Sequence, residues 1–132
     1  MILSTAGETI LVVDDHGALR GMMELILSSA GYRVLTAESG LDALLIARDA
    51  PRIDLLVSDL EMPHMRGDEL ATRFARLHPL VPILFASSSD RAINTTQPFD
   101  FLAKPFTVAE LCDSVRRALR ARPVIAETSD IA

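Results

Sequence analysis

Five side chains stand where short apolar runs end, and as a set they could perform group-transfer chemistry. Asp14 and Asp15 close the run 10–13, Asp59 comes just after the run 55–57, Ser87 follows 81–86, and Lys104 follows 101–103. If each run is a strand of an open parallel sheet, these residues share one rim, since ligands of such sheets bind outside the carboxyl ends of the strands. Like charges about 4 Å apart repel by about 4 kcal/mol at an effective dielectric of about 20. Carboxylates crowded on one rim therefore demand a cation. Lys104 brings a single charge, and a hard divalent ion is the natural remainder. Mg²⁺ suits a donor set made of oxygen and leaves room for phosphate oxygens. No histidine is read among these ligands to attract Zn²⁺. An aspartate in such a site can act as a nucleophile toward phosphorus, giving an aspartyl phosphate. The metal and the ammonium would neutralise charge on the phosphoryl oxygens. The Ser87 hydroxyl would gain a charge-assisted hydrogen bond only once the phosphoryl group is present.

The elements that must position these residues alternate along the chain. The runs 10–13 and 55–57 are continuous apolar stretches, as expected of strands buried on both faces. Residues 33–36 form a weaker strand, and 81–86 and 101–103 supply the fourth and fifth. Between them, Leu19, Met22, Met23, Ile26, Leu27 and Ala30 recur at helical spacing, with Gly31 as the stop. Ser39 and Asp42 have capping-box spacing and open a second helix that Pro51 closes. Leu70, Phe74 and Leu77 mark a third helix, stopped by Pro79. Thr107 and Glu110 form another capping box, opening a last helix through Leu111, Val115, Ala118 and Leu119. Strands alternating with helices indicate an α/β fold, a doubly wound five-stranded parallel sheet with helices on both faces. The 16 residues 88–103 must hold a helix, a strand and two connections, where average elements need about 20 or more. The fourth helix is therefore expected to be short, irregular or absent, with 89–97 the least ordered part.

Composition narrows the class. The 132 residues carry a net charge of −5 and are 49% hydrophobic and 23% charged, which fits one ordinary globular domain. Cys112 is the only cysteine, which excludes an internal disulfide and a cysteine zinc cage. The acidic balance argues against nucleic acid as the main partner. With no basic leader and no long apolar stretch, the expectations are no membrane association and a cytoplasmic location. One domain over 9–122 is expected, with 1–8 and 123–132 as tails.

The residues 10–15 (Ile-Leu-Val-Val-Asp-Asp), 59–63 (Asp-Leu-Glu-Met-Pro) with Gly67, Ser87, and 104–106 (Lys-Pro-Phe) resemble the motifs of the response-regulator receiver domain, in order, over about residues 9–121. The resemblance implies strand order 2-1-3-4-5. It also implies Asp59 as the phosphoacceptor, Asp14 and Asp15 as the acidic pair holding Mg²⁺, and the Glu61 backbone carbonyl as a further metal ligand. Ser87 matches the switch hydroxyl, Phe101 the aromatic that turns inward with it, and Lys104 the lysine that pairs with the phosphate. The implied partners are a histidine kinase or a histidine phosphotransfer protein and a downstream protein target, the chain itself being a monomer or weak dimer. Phe101 lacks a tyrosine's hydroxyl, so any switch there works by packing. His16 stands where the family often has another acid. The cramped stretch before Phe101 reduces a face that partners of the family read.

Singly, these residues have plainer explanations. Asp14 and Asp15 could cap a turn or helix, and Ser87, Ser88 and Ser89 could form a polar turn, Ser87 leading only because the run 81–86 ends before it. Met62 and Met65 are expected to pack a loop, His64 and His78 to be exposed, and Cys112 to be a small buried hydrophobe. Arg116, Arg117, Arg120 and Arg122 suit the carboxyl end of a helix. The leading function is a phosphoacceptor signalling module rather than an enzyme, any self-dephosphorylation being slow. Too few residues follow Leu119 for an output domain within these 132 residues, so the output is expected to be protein contact, onward phosphotransfer, or a domain missing from this chain. The alternatives are a receiver excised from a hybrid sensor histidine kinase, which the run 101–107 resembles, an aspartate-nucleophile phosphatase, and a passive scaffold.

Overall fold

Strand β1 (Thr9–Val13) is buried at every position and occupies an interior place in the sheet. The computed structural model describes residues 7–90 and 92–121; the expected tails, apart from Gly7 and Glu8, and Arg122 lie outside them. The other strands are β2 (Arg33–Ala37), β3 (Leu55–Ser58), β4 (Ile83–Ser87) and β5 (Asp100–Ala103), all parallel, in the order β2-β1-β3-β4-β5. Alternation along β1 explains its continuous apolar run. Ile10 and Val12 enter one core with Met23, Leu27, Leu111 and Val115. Leu11 and Val13 enter a second core with Ala43, Ala47, Leu70 and Phe74. Each wholly buried Leu or Phe contributes about 1.5–3 kcal/mol relative to exposure.

Helices α1 (Gly17–Ser29) and α4 (Val108–Arg120) cover the first face, and α2 (Gly40–Asp49) and α3 (Gly67–Leu77) the second. Gly31 takes φ +103°, the left-handed turn that ends α1 and returns the chain to β2. Ser39 Oγ accepts from the Asp42 amide at the start of α2. The Thr107–Glu110 box is complete, each side chain accepting from the other's amide. Several helix positions depart from expectation. Leu77 is exposed at the end of α3, as are Met22 on α1 and Ala30 just beyond it, because a sheet covers only one stripe of each helix. His78 is half-buried rather than exposed: it stacks on Phe74, and its Nε2 lies 2.8 Å from the Ala47 carbonyl oxygen.

Between β4 and β5 no helix occurs among the described residues, so of the short, irregular or absent helix expected there, the last is what is found. The connection is tethered to α3 instead. The Asn94 amide donates to Asp68 Oδ2 at 2.8 Å, and the Thr72 and Thr95 hydroxyls lie 3.2 Å apart. Ile93 packs against the second core, and Phe99 meets Phe85 with ring centroids 5.2 Å apart.

Candidate functional site

Parallel register brings the candidate residues together. Val13 pairs with Ser58 and Ser87 with Ala103, so the next residues, Asp14, Asp59 and Lys104, leave the sheet at the same edge. Backbone bonds extend the ladder past the strand ends: the Asp14 amide donates to Ala37 O, Asp59 to Val13 O, and Lys104 to Ser87 O. The Lys104–Pro105 peptide is cis.

Lys104 Nζ reaches both buried carboxylates, at 2.9 Å from Asp14 Oδ2 and 3.3 Å from Asp59 Oδ2. The other oxygen of Asp14 accepts from the His16 amide at 2.9 Å. Among the described residues, Asp59 Oδ1 has a long contact from the Glu61 amide, 3.4 Å. Asp15 Oδ1 is buried and has no hydrogen-bond donor among the described residues. Such an oxygen is costly to leave unpartnered, and a cation among the carboxylates would satisfy it. Ligand atoms of Asp14, Asp15, His16 and Asp59 all lie within 4.8 Å of one another, so the cluster fits a metal ion. His16, not read among these ligands in the sequence, stands beside them. The β1–α1 turn folds its ring back toward the acids, with Nδ1 3.2 Å from Asp14 Oδ1.

Of the three serines, only Ser87 is fully buried, as the last residue of β4; Ser88 is exposed and Ser89 half-buried. Phe101 lies on β5 in register with Phe85, half-buried against the second core. The Glu61 side chain is exposed.

Some contributors carried no clear signal in the sequence. Arg20 donates from Nη1 to the Asp14 carbonyl at 2.7 Å and so ties α1 to the loop carrying the acids. Arg20 stands six residues after Asp14 and one helical turn past the N-cap His16. Gly67, already part of the sequence motif, approaches the backbone of Asp59, and its amide donates to Leu60 O. Asp68 is buried and accepts from the Asn94 and Glu69 amides and from Arg66 Nε. Burial opposes its charge, but the Asn94 amide, the Arg66 guanidinium and the Glu69 amide outweigh it and hold the carboxyl below its usual 3.8. A carboxyl lowered by folding stabilises the native state above its unfolded pKa, and that contribution fades as pH falls through the folded value. Asp68→Asn should therefore lower stability by about 1–3 kcal/mol at neutral pH and narrow the gap between variant and parent below pH of about 3.9. Urea midpoints measured across that range provide the check; equal midpoints at neutral pH would remove Asp68 as the tether.

The resemblances of the whole chain agree with this geometry. Residues 10–116 match the family described as the response regulator receiver domain. The chain is 34% identical over 134 residues to the DNA-binding transcriptional regulator NtrC of Klebsiella pneumoniae, covering 91% of this chain and 28% of that protein. It is 34% identical over 117 residues to the sensor kinase CckA of Brucella abortus, covering 84% of this chain and 12% of that protein. The chain thus spans a small part of the curated relatives it matches. A response regulator receiver protein from Sinorhizobium medicae WSM419 superposes with a TM-score of 0.79 at 30% identity, covering 92% of this chain and 99% of that one. The receiver domain of the hybrid histidine kinase CckA superposes with a TM-score of 0.74 at 34% identity, covering 84% of this chain and 98% of that one. The chain belongs to the response regulator receiver domain family, the phosphoacceptor domains of two-component signalling that work with histidine kinases and downstream effectors.

Proposed function

We propose that Asp59 is the phosphoacceptor and that the domain spans 9–122. The carrying observation is the pairing of Lys104 Nζ with both Asp14 and Asp59 beside the donorless Asp15 Oδ1. An Asp59 carboxylate oxygen attacks the phosphorus of a phosphohistidine on a histidine kinase or histidine phosphotransfer protein. The new P–O bond makes an acyl phosphate as the P–N bond breaks, and the imidazole leaves carrying the electron pair and takes up a proton. Asp14, Asp15 and Asp59, with the Glu61 backbone carbonyl, would hold Mg²⁺, which supplies positive charge opposite the phosphoryl oxygens. Lys104 keeps its ammonium at the same oxygens, and burial strengthens that interaction. The Ser87 hydroxyl then turns to a phosphoryl oxygen, and Phe101, already half-buried, packs further inward as β4 adjusts.

The output in this reading is altered protein contact, not catalysis, by a monomer or weak dimer in the cytoplasm that binds neither nucleic acid nor membrane. No helix among the described residues is long and apolar enough to cross a membrane. Similarity to CckA supports equally the reading that this is a receiver taken from a hybrid histidine kinase. A phosphatase would need a second working acid, and the exposed Glu61 side chain gives that reading no support.

Exposure to acetyl phosphate and Mg²⁺, followed by intact mass measurement, tests the assignment. The parent should gain one phosphoryl group that survives acid and is lost in base, and Asp59→Asn should gain none. Phosphoryl retained in Asp59→Asn, or turnover of a phosphomonoester by the parent, would overturn it.

A further inference from the structure

His16 does more than cap α1. Its backbone is fixed on both sides, the amide donating to Asp14 Oδ1 and the carbonyl accepting from the Arg20 amide. Most of the side chain, 69%, is exposed, so the ring can change rotamer without repacking the core. Nδ1 lies 3.2 Å from Asp14 Oδ1 and 3.5 Å from Asp15 Oδ1, a buried carboxylate oxygen with no hydrogen-bond donor among the described residues. The ring nitrogen thus stands on the perimeter of the space that the three carboxylates enclose.

Carboxylates alone favour hard ions and discriminate little among them. Imidazole nitrogen adds a preference that rises from Mn²⁺ through Co²⁺ to Ni²⁺, whereas Mg²⁺ gains little from a nitrogen donor. We propose that His16 is a specificity-determining residue of the acidic cluster, adding a nitrogen ligand that selects a first-row transition ion over Mg²⁺. The proposal rests on the reading of this cluster as the receiver's metal site, and it concerns which ion occupies the site when both are present. His16 pivots its ring toward the acids, and Asp14, Asp15 and Asp59 supply the charge.

Pulsed EPR of the full chain loaded with Mn²⁺ reads ligation directly. The parent should show ¹⁴N coupling from an imidazole, and His16→Gln should lose it. Calorimetric affinities for Co²⁺ and Mg²⁺ read selectivity, and the Co²⁺ to Mg²⁺ preference should fall about tenfold or more in His16→Gln. A matched thermal unfolding midpoint shows that the variant is folded, and His16→Asp should retain Mg²⁺ while also losing the nitrogen signal. Absence of ¹⁴N coupling in the parent, or an unchanged preference in His16→Gln, would overturn the proposal while leaving the metal site itself intact. If the parent bound neither ion, or if Asp15→Asn bound both as well as the parent does, the metal-site reading would fail as well.

Discussion

Gly67→Ala should destabilise the protein by about 2–4 kcal/mol and displace the proposed phosphoacceptor. A Cβ at this position would lie 1.9 Å from the Asp59 carbonyl oxygen, 2.9 Å from its carbon and 3.0 Å from Leu60 Cα. All three are backbone atoms and cannot rotate away. Either α3 retreats from the β3 loop, giving up the Gly67 amide bond to Leu60 O and loosening Leu70 and Phe74, or Asp59 shifts away from Lys104. Gly21→Ala supplies the opposite sign, since nothing lies within 4 Å of its added methyl. In the interior of α1 it should stabilise by about 0.5–1 kcal/mol. Urea unfolding separates the two, and acetyl phosphate labelling of Gly67→Ala reports on Asp59. A Gly67→Ala protein as stable as the parent would contradict the close approach on which the site's geometry depends.

The second large effect is expected at Lys104. Lys104→Met leaves the Asp14 and Asp59 carboxylates facing each other without the ammonium that bridges them, and the side chain of Asp14 has no exposure at all. Removing one partner of a buried ion pair costs about 3–5 kcal/mol, chiefly because the other charge stays buried and uncompensated. Two checks isolate that cause. Adding Mg²⁺ should recover more stability in Lys104→Met than in the parent, because a divalent ion replaces the missing charge. Asp14→Asn combined with Lys104→Met should be more stable than Lys104→Met alone, a non-additivity that independent sites would not show. If Lys104→Met unfolded at the same urea concentration as the parent with or without Mg²⁺, the ammonium would not be what holds these acids together.

How much of this was legible beforehand depended on the range of the interaction. Strand identity was legible because β1 and β3 are buried on both faces and so read as unbroken apolar runs. The complete Thr107–Glu110 box and the Gly31 turn were legible because capping and left-handed backbone are local properties of a few neighbouring residues. The meeting of Asp14, Asp59 and Lys104 was legible at the level of an edge, since parallel strands deliver their carboxyl ends to one side.

Side-chain direction was a different matter. Leu77 and Met22 have helical spacing but face solvent, because periodicity does not say how wide a stripe the sheet covers. Ser87 could be distinguished from Ser88 and Ser89 only by burial at the end of β4. The sequence by itself determined the fold class, the strand order through the receiver resemblance, and the rim of acids with its lysine. Only the tertiary structure decided that one ammonium bridges two acids, that His16 turns back onto them, and that Asp68 tethers the connection standing in place of a helix. Those contacts join residues such as Asp14 and Lys104, 90 positions apart, or Asp68 and Asn94, 26 apart. Their geometry follows from packing that no local pattern encodes.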